Sequence, residues 1–484
     1  MNLALYPHLL ARSEPGRPAI EQNGLRVTYG EFEITSRRIA HRLRRAGLRG
    51  GDICALILRD DILHLAALFA IWRLGAVLLP LDWRLQPAET ARVVARFGPR
   101  LVLATGSFRL PGDVETVHLD SHQDESDADL AVEPVEDEAA LYALSSGTTG
   151  EPKAAIITHR QHEARVMAYA ASYPILPSDR YFSTLPIAYN WGRNLAVSHL
   201  CLGATLILHP TLFSPMELVA AVEQTAATTM AAVPNVSRAL LRLPVAERPL
   251  MGGLRRYFSS TAPLFPEERA QIRARIAPNL AEMYGTTETG GLCVLPPGDQ
   301  DRAPGSVGRP AIGVEIEVVG EDNQPLASGE VGRIRCRGPG VINGYLNGTP
   351  ADAERFQGGW YYTGDHGNLD AEGYVYIDGR STEVIKHAGM TVHASEIERV
   401  LRAHSAVAEA AVVGVPSSEL GEDIEAFVVL REAVDMRLLV NHCRISLAAF
   451  KQPRLIRPVS SLPRNAAGKV LKSELTRSRD VRGS

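Results

Sequence analysis

ICALILRDDILHLAALFAIWRLGAVLL, residues 53–79, reads as a β-strand (Ile53 to Leu58), an apolar helix (Leu63 to Leu74) and a second strand (Ala76 to Leu79). A strand, a crossover helix and a strand in that order pair the two strands in parallel. The same alternation recurs. Leu101 to Ala104, Leu141 to Leu144, Arg180 to Leu185, Ala204 to Leu208, Thr228 to Ala232 and Tyr257 to Ser259 are short apolar runs separated by helical segments. The fold class expected is α/β, with a large N-terminal domain of doubly wound sheets. After about Gly290 the texture changes to Gly, Pro and alternating β-branched residues, as in GVEIEVVG from Gly313 to Gly320 and in the run from Gly332 to Gly338, which predicts a β-rich subdomain. Beyond Arg380 the pattern is mixed: helix Ser395 to Ala403, strands Val407 to Val415 and Ala426 to Leu430, helix Met436 to Leu447. A boundary at Gly379 to Thr382 gives domains 1–380 and 381–484, the second a small α+β domain.

At 484 residues the chain exceeds what a single hydrophobic core supports. A net charge of −4 with 45% hydrophobic residues shows no bias towards nucleic acid or an anionic membrane, and points to small-molecule partners. The five cysteines are scattered without a C-x-x-C pair, which suggests neither a disulfide framework nor a zinc site and fits a reducing cytoplasm. No signal peptide or membrane span is expected. The acidic stretch His122 to Glu138 reads as a surface connection.

LSSGTTGEPK, residues 144–153, is the densest run of anion-binding chemistry. Ser145, Ser146, Thr148 and Thr149 alternate with Gly147 and Gly150 and lead to Lys153, so backbone N–H groups, hydroxyls and an ammonium can converge on a polyphosphate. Such composition also suits a plain solvated connection. The spacing departs from a P-loop, which needs four residues between its glycines and a Lys-Ser/Thr directly after the second. A second cluster, YGTTE from Tyr284 to Glu288, offers an aromatic ring for a base and a lone carboxylate suited to Mg²⁺, or else is a capped turn. WYYTGD from Trp360 to Asp365 presents a carboxylate on a glycine turn, able to accept from ribose hydroxyls. Arg380 could fork onto phosphate or ribose oxygens, and Lys469 stands in PRNAAGK from Pro463. Taken singly, WYYTGD suits a plain β-turn, and Arg380 and Lys469 suit ordinary solvated positions.

The joint order and spacing resemble the adenylate-forming superfamily: acyl-CoA synthetases, peptide-synthetase adenylation domains and firefly luciferase. Eight motifs in register carry the resemblance over nearly the whole chain: VTYGEF at Val27, LGAVLLPLDWRL at Leu74, SSGTTGEPK, LPIAYNWG, YGTTE, YYTGD, GRSTEVIKHAG and PRNAAGK. It implies a large N-terminal domain and a small mobile C-terminal domain joined by a hinge at Thr382. Residue by residue, it implies that Ser145, Ser146, Gly147, Thr148, Thr149, Gly150 and Lys153 hold the β- and γ-phosphates of ATP. Tyr284, Gly285 and Thr286 line the nucleotide, Tyr284 stacking on adenine with Ala262 and Pro263 beside it. Thr287 touches the α-phosphate, Glu288 binds Mg²⁺, Asp365 binds the ribose, and Arg380 adds ribose or phosphate contacts. Lys469 bridges the substrate carboxylate and the phosphate. The implied chemistry has two steps: a carboxylate displaces pyrophosphate from ATP to give an acyl-adenylate, then a thiol displaces AMP. The small domain rotates between the steps, bringing Lys386, Ala388 and Gly389 to the thiol channel.

LDWRL resembles the acyl-CoA synthetase branch, and residues 234–238 offer no aspartate for an α-amino group. The expected acid therefore lacks an amine, and coenzyme A is the expected acceptor. Its pocket is expected among Tyr189, Trp191, Asn194, Val233, Ser260 and Met283, with Tyr189 a candidate gate. The two large rings, Tyr189 and Trp191, favour a short or flat acid. Arg193 is expected to be a solvated surface group, with pairing to a second substrate carboxylate or a ring substituent as the alternative. Thr382, and His393-Ala394 where relatives have a proline-containing step, depart from the family pattern. Transfer to a carrier-protein thiol or an amine is the alternative enzymatic reading. A nucleotide-binding protein without catalysis and a luciferase-like oxygenase are remoter ones.

Overall fold

The computed structural model describes residues 1–106, 114–119, 125–146, 152–172, 174–380, 384–387, 390–417, 421–464, 470–472 and 474–475. Two compact units emerge: Met1–Glu315 with Cys336–Tyr361, and Ile316–Arg335 with Tyr362–Ser484.

The opening stretch forms strand Ile53–Ile57, helix Ile62–Arg73 and strand Val77–Pro80, with Ile53 opposite Val77 in parallel register. Asp61 caps the helix by accepting from the His64 N–H at 2.9 Å. Every residue from His64 to Arg73 is buried, so the helix is apolar all round because it is enclosed all round. These strands belong to a seven-stranded sheet in the order Tyr345–Leu346, Pro152–Thr158, Ala139–Ser146, Val77–Pro80, Ile53–Ile57, Leu101–Ala104, Glu115–His118. A nine-stranded sheet has a parallel centre of Leu280–Thr286, Arg256–Ser259, Thr229–Ala232, Arg180–Ser183, Thr205–Leu208 and Pro18–Gln22, flanked by antiparallel edges. One core cluster joins Cys54 and Leu78 of the first sheet to Leu206 and Ala231 of the second, and takes in Leu68 and Leu195 from two buried helices. That layered arrangement is the doubly wound α/β fold.

Two motifs make structural contacts within this unit. In VTYGEF, Thr28 and Glu31 form a capping box at the head of helix Tyr29–Arg45. The Tyr29 hydroxyl reaches the carbonyls of Leu200 and Ala204, both at 2.9 Å. In LDWRL, Arg84 grips Asp82 through Nε at 2.8 Å and Nη2 at 2.5 Å.

In the second unit, helix Ala394–Ala403 and helix Met436–Ser446 pack on strands Val384–His387, Val407–Ser417 and Gly421–Leu430 around Ile385, Ile397, Leu401, Val412, Ile424 and Leu439. One expectation fails here. YYTGD is not a turn but lies within the continuous strand Trp360–Leu369, where Gly364 at φ 81° absorbs the local departure from strand geometry.

Candidate active site

Pairing explains where the first motif comes from. Strands Ala139–Ser146 and Pro152–Thr158 form an antiparallel hairpin with Ser145 opposite Lys153. Gly147, Thr148, Thr149 and Gly150 at its tip lie outside the described residues, as do the side chains of Ser145 and Ser146. Lys153 is described. Its ammonium pairs with the carboxylate of Asp352 and lies 5.9 Å from the centroid of the Tyr345 ring. Asp352 is buried, and Thr349 holds its other oxygen through N–H at 2.9 Å and hydroxyl at 2.8 Å. Strand Tyr345–Leu346 docks on Pro152–Thr158 at Ala154 and Ala155, which brings Tyr345 to the hairpin. The Tyr345 hydroxyl donates to Glu288 Oε1 at 2.6 Å. Thus Lys153, Asp352, Tyr345 and Glu288 form one connected polar group.

Glu288 sits in a rigid turn. Strand Leu280–Thr286 runs against Gly290–Leu295 so closely that a Cβ on Gly285 would lie 1.8 Å from the Gly290 carbonyl oxygen, which only glycine avoids. The Thr286 N–H donates to Thr289 Oγ1 at 3.0 Å, and the Thr289 hydroxyl donates to the Gly290 carbonyl at 3.0 Å. From beneath, the buried Arg165 donates to the carbonyls of Gly340 at 2.8 Å, Thr287 at 3.3 Å and Glu288 at 2.8 Å. Glu288 is 7% exposed, and no Lys or Arg forms an ion pair with it among the described residues. A buried carboxylate with a hydroxyl donor and, among the described residues, no direct ion pair fits a divalent cation.

Ser260 of SSTAPL donates to the Met283 carbonyl at 2.7 Å. The following Thr261 holds φ 79°, a strained value for a β-branched residue, and delivers Ala262 and Pro263 to the surface. In the second unit Asp365 is buried and stands opposite Arg380 in the register of Trp360–Leu369 with Val375–Arg380. Lys386 pairs in register with Thr391, while the side chains of Arg380 and Lys386 are not described. Thr382, Ala388, Gly389 and Lys469 lie outside the described residues.

Tyr189 precedes helix Asn190–Cys201, and its hydroxyl meets the carboxylate of Asp82; burial first, and then that carboxylate, push its pKa up to about 12. Asp60, at the end of strand Ile53–Ile57, accepts from the Ile187 N–H at 2.6 Å. Arg193 is not the solvated group expected. It is 1% exposed and donates to the carbonyls of Ile187 at 3.4 Å and Ala188 at 2.8 Å and to Asn190 Oδ1 at 3.3 Å. Nor does it face the predicted acid pocket, because two residues along a helix from Trp191 is a rotation of about 200°. The loop bearing Tyr189 is therefore clamped on its N–H side by Asp60 and on its carbonyl side by Arg193. Trp191 and Met283 share an enclosed cavity with Tyr169, Ile175, Leu195, His199 and Phe258, and Val233 packs at the edge of the same core.

Burial raises the pKa of Asp60 to about 6, which the Ile187 N–H only partly opposes. A carboxyl whose folded pKa lies above its unfolded one destabilises the fold where it is ionised. Its contribution therefore worsens as pH rises from about 4 through 6. Asp60→Asn keeps an oxygen for the Ile187 N–H and removes the charge. Its stability relative to wild type is expected to improve by about 2 kcal/mol between pH 4.5 and pH 7.5. Urea midpoints at the two pH values check this, and a pH-independent difference contradicts it.

Arg165, Asp60, Asp352 and Tyr345 are site residues that sequence reasoning missed. Tyr345 stands in GYLNG, just ahead of YYTGD, and its nearness to that motif was the available signal. Asp60 offered a weaker one, an acid at the carboxyl end of a parallel strand.

With the geometry in view, comparison with known proteins identifies the family. The model for AMP-binding enzymes matches residues 10–346, and that for the AMP-binding enzyme C-terminal domain matches residues 396–469. An indoleacetate–CoA ligase of Aromatoleum aromaticum is 30% identical over 98% of both chains. ATP-bound MatB from Rhodopseudomonas palustris superposes with a TM-score of 0.91 at 29% identity over 99% of both chains. An o-succinylbenzoate CoA synthetase from Bacillus subtilis, solved with its acyl-adenylate intermediate, superposes at 0.87 with 28% identity over 97% of both chains. The same enzyme has been solved with ATP and magnesium ion. The chain belongs to the AMP-binding enzyme family, in its acyl- and aryl-CoA ligase branch.

Proposed function

We propose that the protein is an ATP-dependent carboxylic acid:CoA ligase that activates an aromatic or short-to-medium acid as its adenylate and transfers the acyl group to coenzyme A. The observation that carries the reading is the connected group Lys153, Asp352, Tyr345 and Glu288, which sets an ammonium and a buried carboxylate with no direct ion pair among the described residues beside the hairpin.

In this reading the hairpin and Lys153 bind the β- and γ-phosphates, and Lys153 steadies the charge on the departing pyrophosphate. Tyr284 stacks on the adenine beside Ala262 and Pro263, Thr287 meets the α-phosphate, and Asp365 holds the ribose with Arg380. Glu288 is the carboxylate that would hold Mg²⁺, which when bound neutralises phosphate charge. An ionised acid needs no general base, so the chain contributes position and positive charge. Lys469 supplies the cation between the acid's carboxylate and the α-phosphate. In the thiol step a small domain, residues 381–484, turns about Thr382 to present Lys386, Ala388 and Gly389. Asp60, Asp82 and Arg193 fix the Tyr189 loop at the acid and thiol channel. Five buried, unpaired cysteines support a reducing, cytoplasmic setting; no helix among the described residues is long and apolar enough to cross a membrane.

The test is acid-dependent pyrophosphate release with ATP, followed by AMP and thioester formation on adding coenzyme A, across aromatic, short-chain and dicarboxylic acids. Release without any thioester, on free coenzyme A, would move the reading to a carrier-protein or amine acceptor.

Within this reading Asp352 is the positioning partner of Lys153. Asp352→Asn keeps an oxygen for Thr349 but frees the lysine stem to sample its rotamers, so KM for ATP is expected to rise about 10-fold. The thioester step from a supplied acyl-adenylate should be unchanged. A lower KM for ATP would show instead that Asp352 competes with the nucleotide for Lys153.

A further inference from the structure

Two guanidiniums lie buried behind the loops of the candidate site. Arg165 comes from helix His159–Ser172 and Arg193 from helix Asn190–Cys201, which pack on each other. They are 2% and 1% exposed. The stem of Arg165 threads past Gly290 and Gly340, where a Cβ on either glycine would lie 3.0 Å from it, so the main chain is shaped to admit this side chain. Every acceptor the pair meets is neutral: the carbonyls of Gly340, Thr287 and Glu288 for Arg165, and the carbonyls of Ile187 and Ala188 with the Asn190 amide oxygen for Arg193. The carboxylate whose charge offsets that of Arg165 is Glu288. Burial first, and then the like charge of Arg165, lowers the pKa of Arg193 to about 9. After burial, both guanidiniums help to hold the fully buried ring of His162 neutral.

Neighbouring cations buried among neutral groups are costly. Glutamine amides could hold the same carbonyls without that cost, so what the arginines add is charge. The gripped peptides show where it is felt. A trans peptide points its N–H away from its C=O, so the Glu288 N–H faces away from Arg165 and the Ala188 N–H away from Arg193. Among the described residues neither N–H has a hydrogen-bond partner, although Glu288 is buried. A buried N–H left open is rare. Each of these two is polarised by a cation behind it and open to an oxygen in front.

We propose that Arg165 and Arg193 are positioning residues that act together as a buried cationic pair, whose field gives the Thr287–Glu288 turn and the Tyr189 loop their affinity for anionic oxygens. Neither arginine touches the ligand; each acts through the peptide it grips and through space. A charge in the core is screened far less than one in solvent, so its pull extends past the first layer of peptide. The inference rests on the ligase reading, which puts the α-phosphate at Thr287 and the acid at Tyr189.

The test needs no knowledge of the acid. Isothermal titration compares AMP with adenosine, which differ by the phosphate alone, in wild type, Arg165→Gln, Arg165→Lys, Arg193→Gln and Arg193→Lys, with thermal melts to confirm folding. Wild type is expected to bind AMP about 10²-fold more tightly than adenosine. Each glutamine variant should lose about 10-fold of that preference, and each lysine variant should keep it within about threefold. A clamp that works by hydrogen bonds alone would make the glutamine and lysine variants alike. Where the glutamine variants do not fold, wild type still decides: raising NaCl from about 0.05 to about 0.5 M should change the preference by less than about threefold, because a buried field is weakly screened. A preference undiminished in the folded glutamine variants, one lost equally in the glutamine and lysine variants, or one that collapses with salt in wild type overturns the inference and leaves the ligase reading standing. Failure of wild type to bind AMP at all overturns the nucleotide reading, and this inference with it.

Discussion

Glu288→Gln is expected to lower acid-dependent pyrophosphate release by about 10²- to 10³-fold and to leave the melting temperature nearly unchanged. The two halves of that expectation have separate causes. Glutamine retains an oxygen for the Tyr345 hydroxyl, now 2.6 Å from Glu288 Oε1, and Arg165 holds the turn through main-chain carbonyls that the substitution does not touch. What disappears is one negative charge in a buried place, the charge proposed to hold a divalent cation against the phosphates. Titrating magnesium separates a binding defect from a chemical one: raised metal should recover part of the rate. Activity within a few-fold of wild type at low magnesium would remove Glu288 from the metal site. Loss of activity together with a lowered melting temperature would assign it a structural part in the turn.

Lys469→Ala should split the two half-reactions. Adenylate formation is expected to fall by roughly 10²- to 10³-fold, since a cation bridging carboxylate and α-phosphate acts where charge develops. Conversion of a supplied acyl-adenylate and coenzyme A to thioester should proceed within a few-fold of wild type. Measured separately, equal damage to both halves would show that the lysine supports the whole small domain rather than the first chemical step.

The scaffold was legible because of what a parallel sheet demands. Strands covered on both faces must be apolar without alternation, and Ile53–Ile57, Leu101–Ala104 and Val77–Pro80 are continuous apolar runs in the chain. Parts of the site were hidden for equally physical reasons. Tyr345 is carried by a strand of two residues, too short for any periodicity. Arg165 occupies an unremarkable helical position, and its target carbonyls lie more than a hundred residues on. Asn190-Trp-Gly-Arg193 has the composition of a surface turn, yet the helix it begins is enclosed by the core, where carbonyls stand in for water around the guanidinium. YYTGD suggested a turn because glycine usually marks one, whereas here pairing along Trp360–Leu369 with Val375–Arg380 overrides it.

The manner in which Arg165 is held sets what protons can do to the enzyme. A guanidinium bound to a carboxylate is released when that carboxylate protonates; the hydrogen bonds of Arg165 end on three amide carbonyls, which do not titrate. The main-chain seat of Thr287 and Glu288 therefore does not hang on the protonation of a carboxylate. The pH dependence built into this part of the chain lies instead at Asp60, whose carboxyl, raised to about 6 by burial, holds the loop that carries Tyr189.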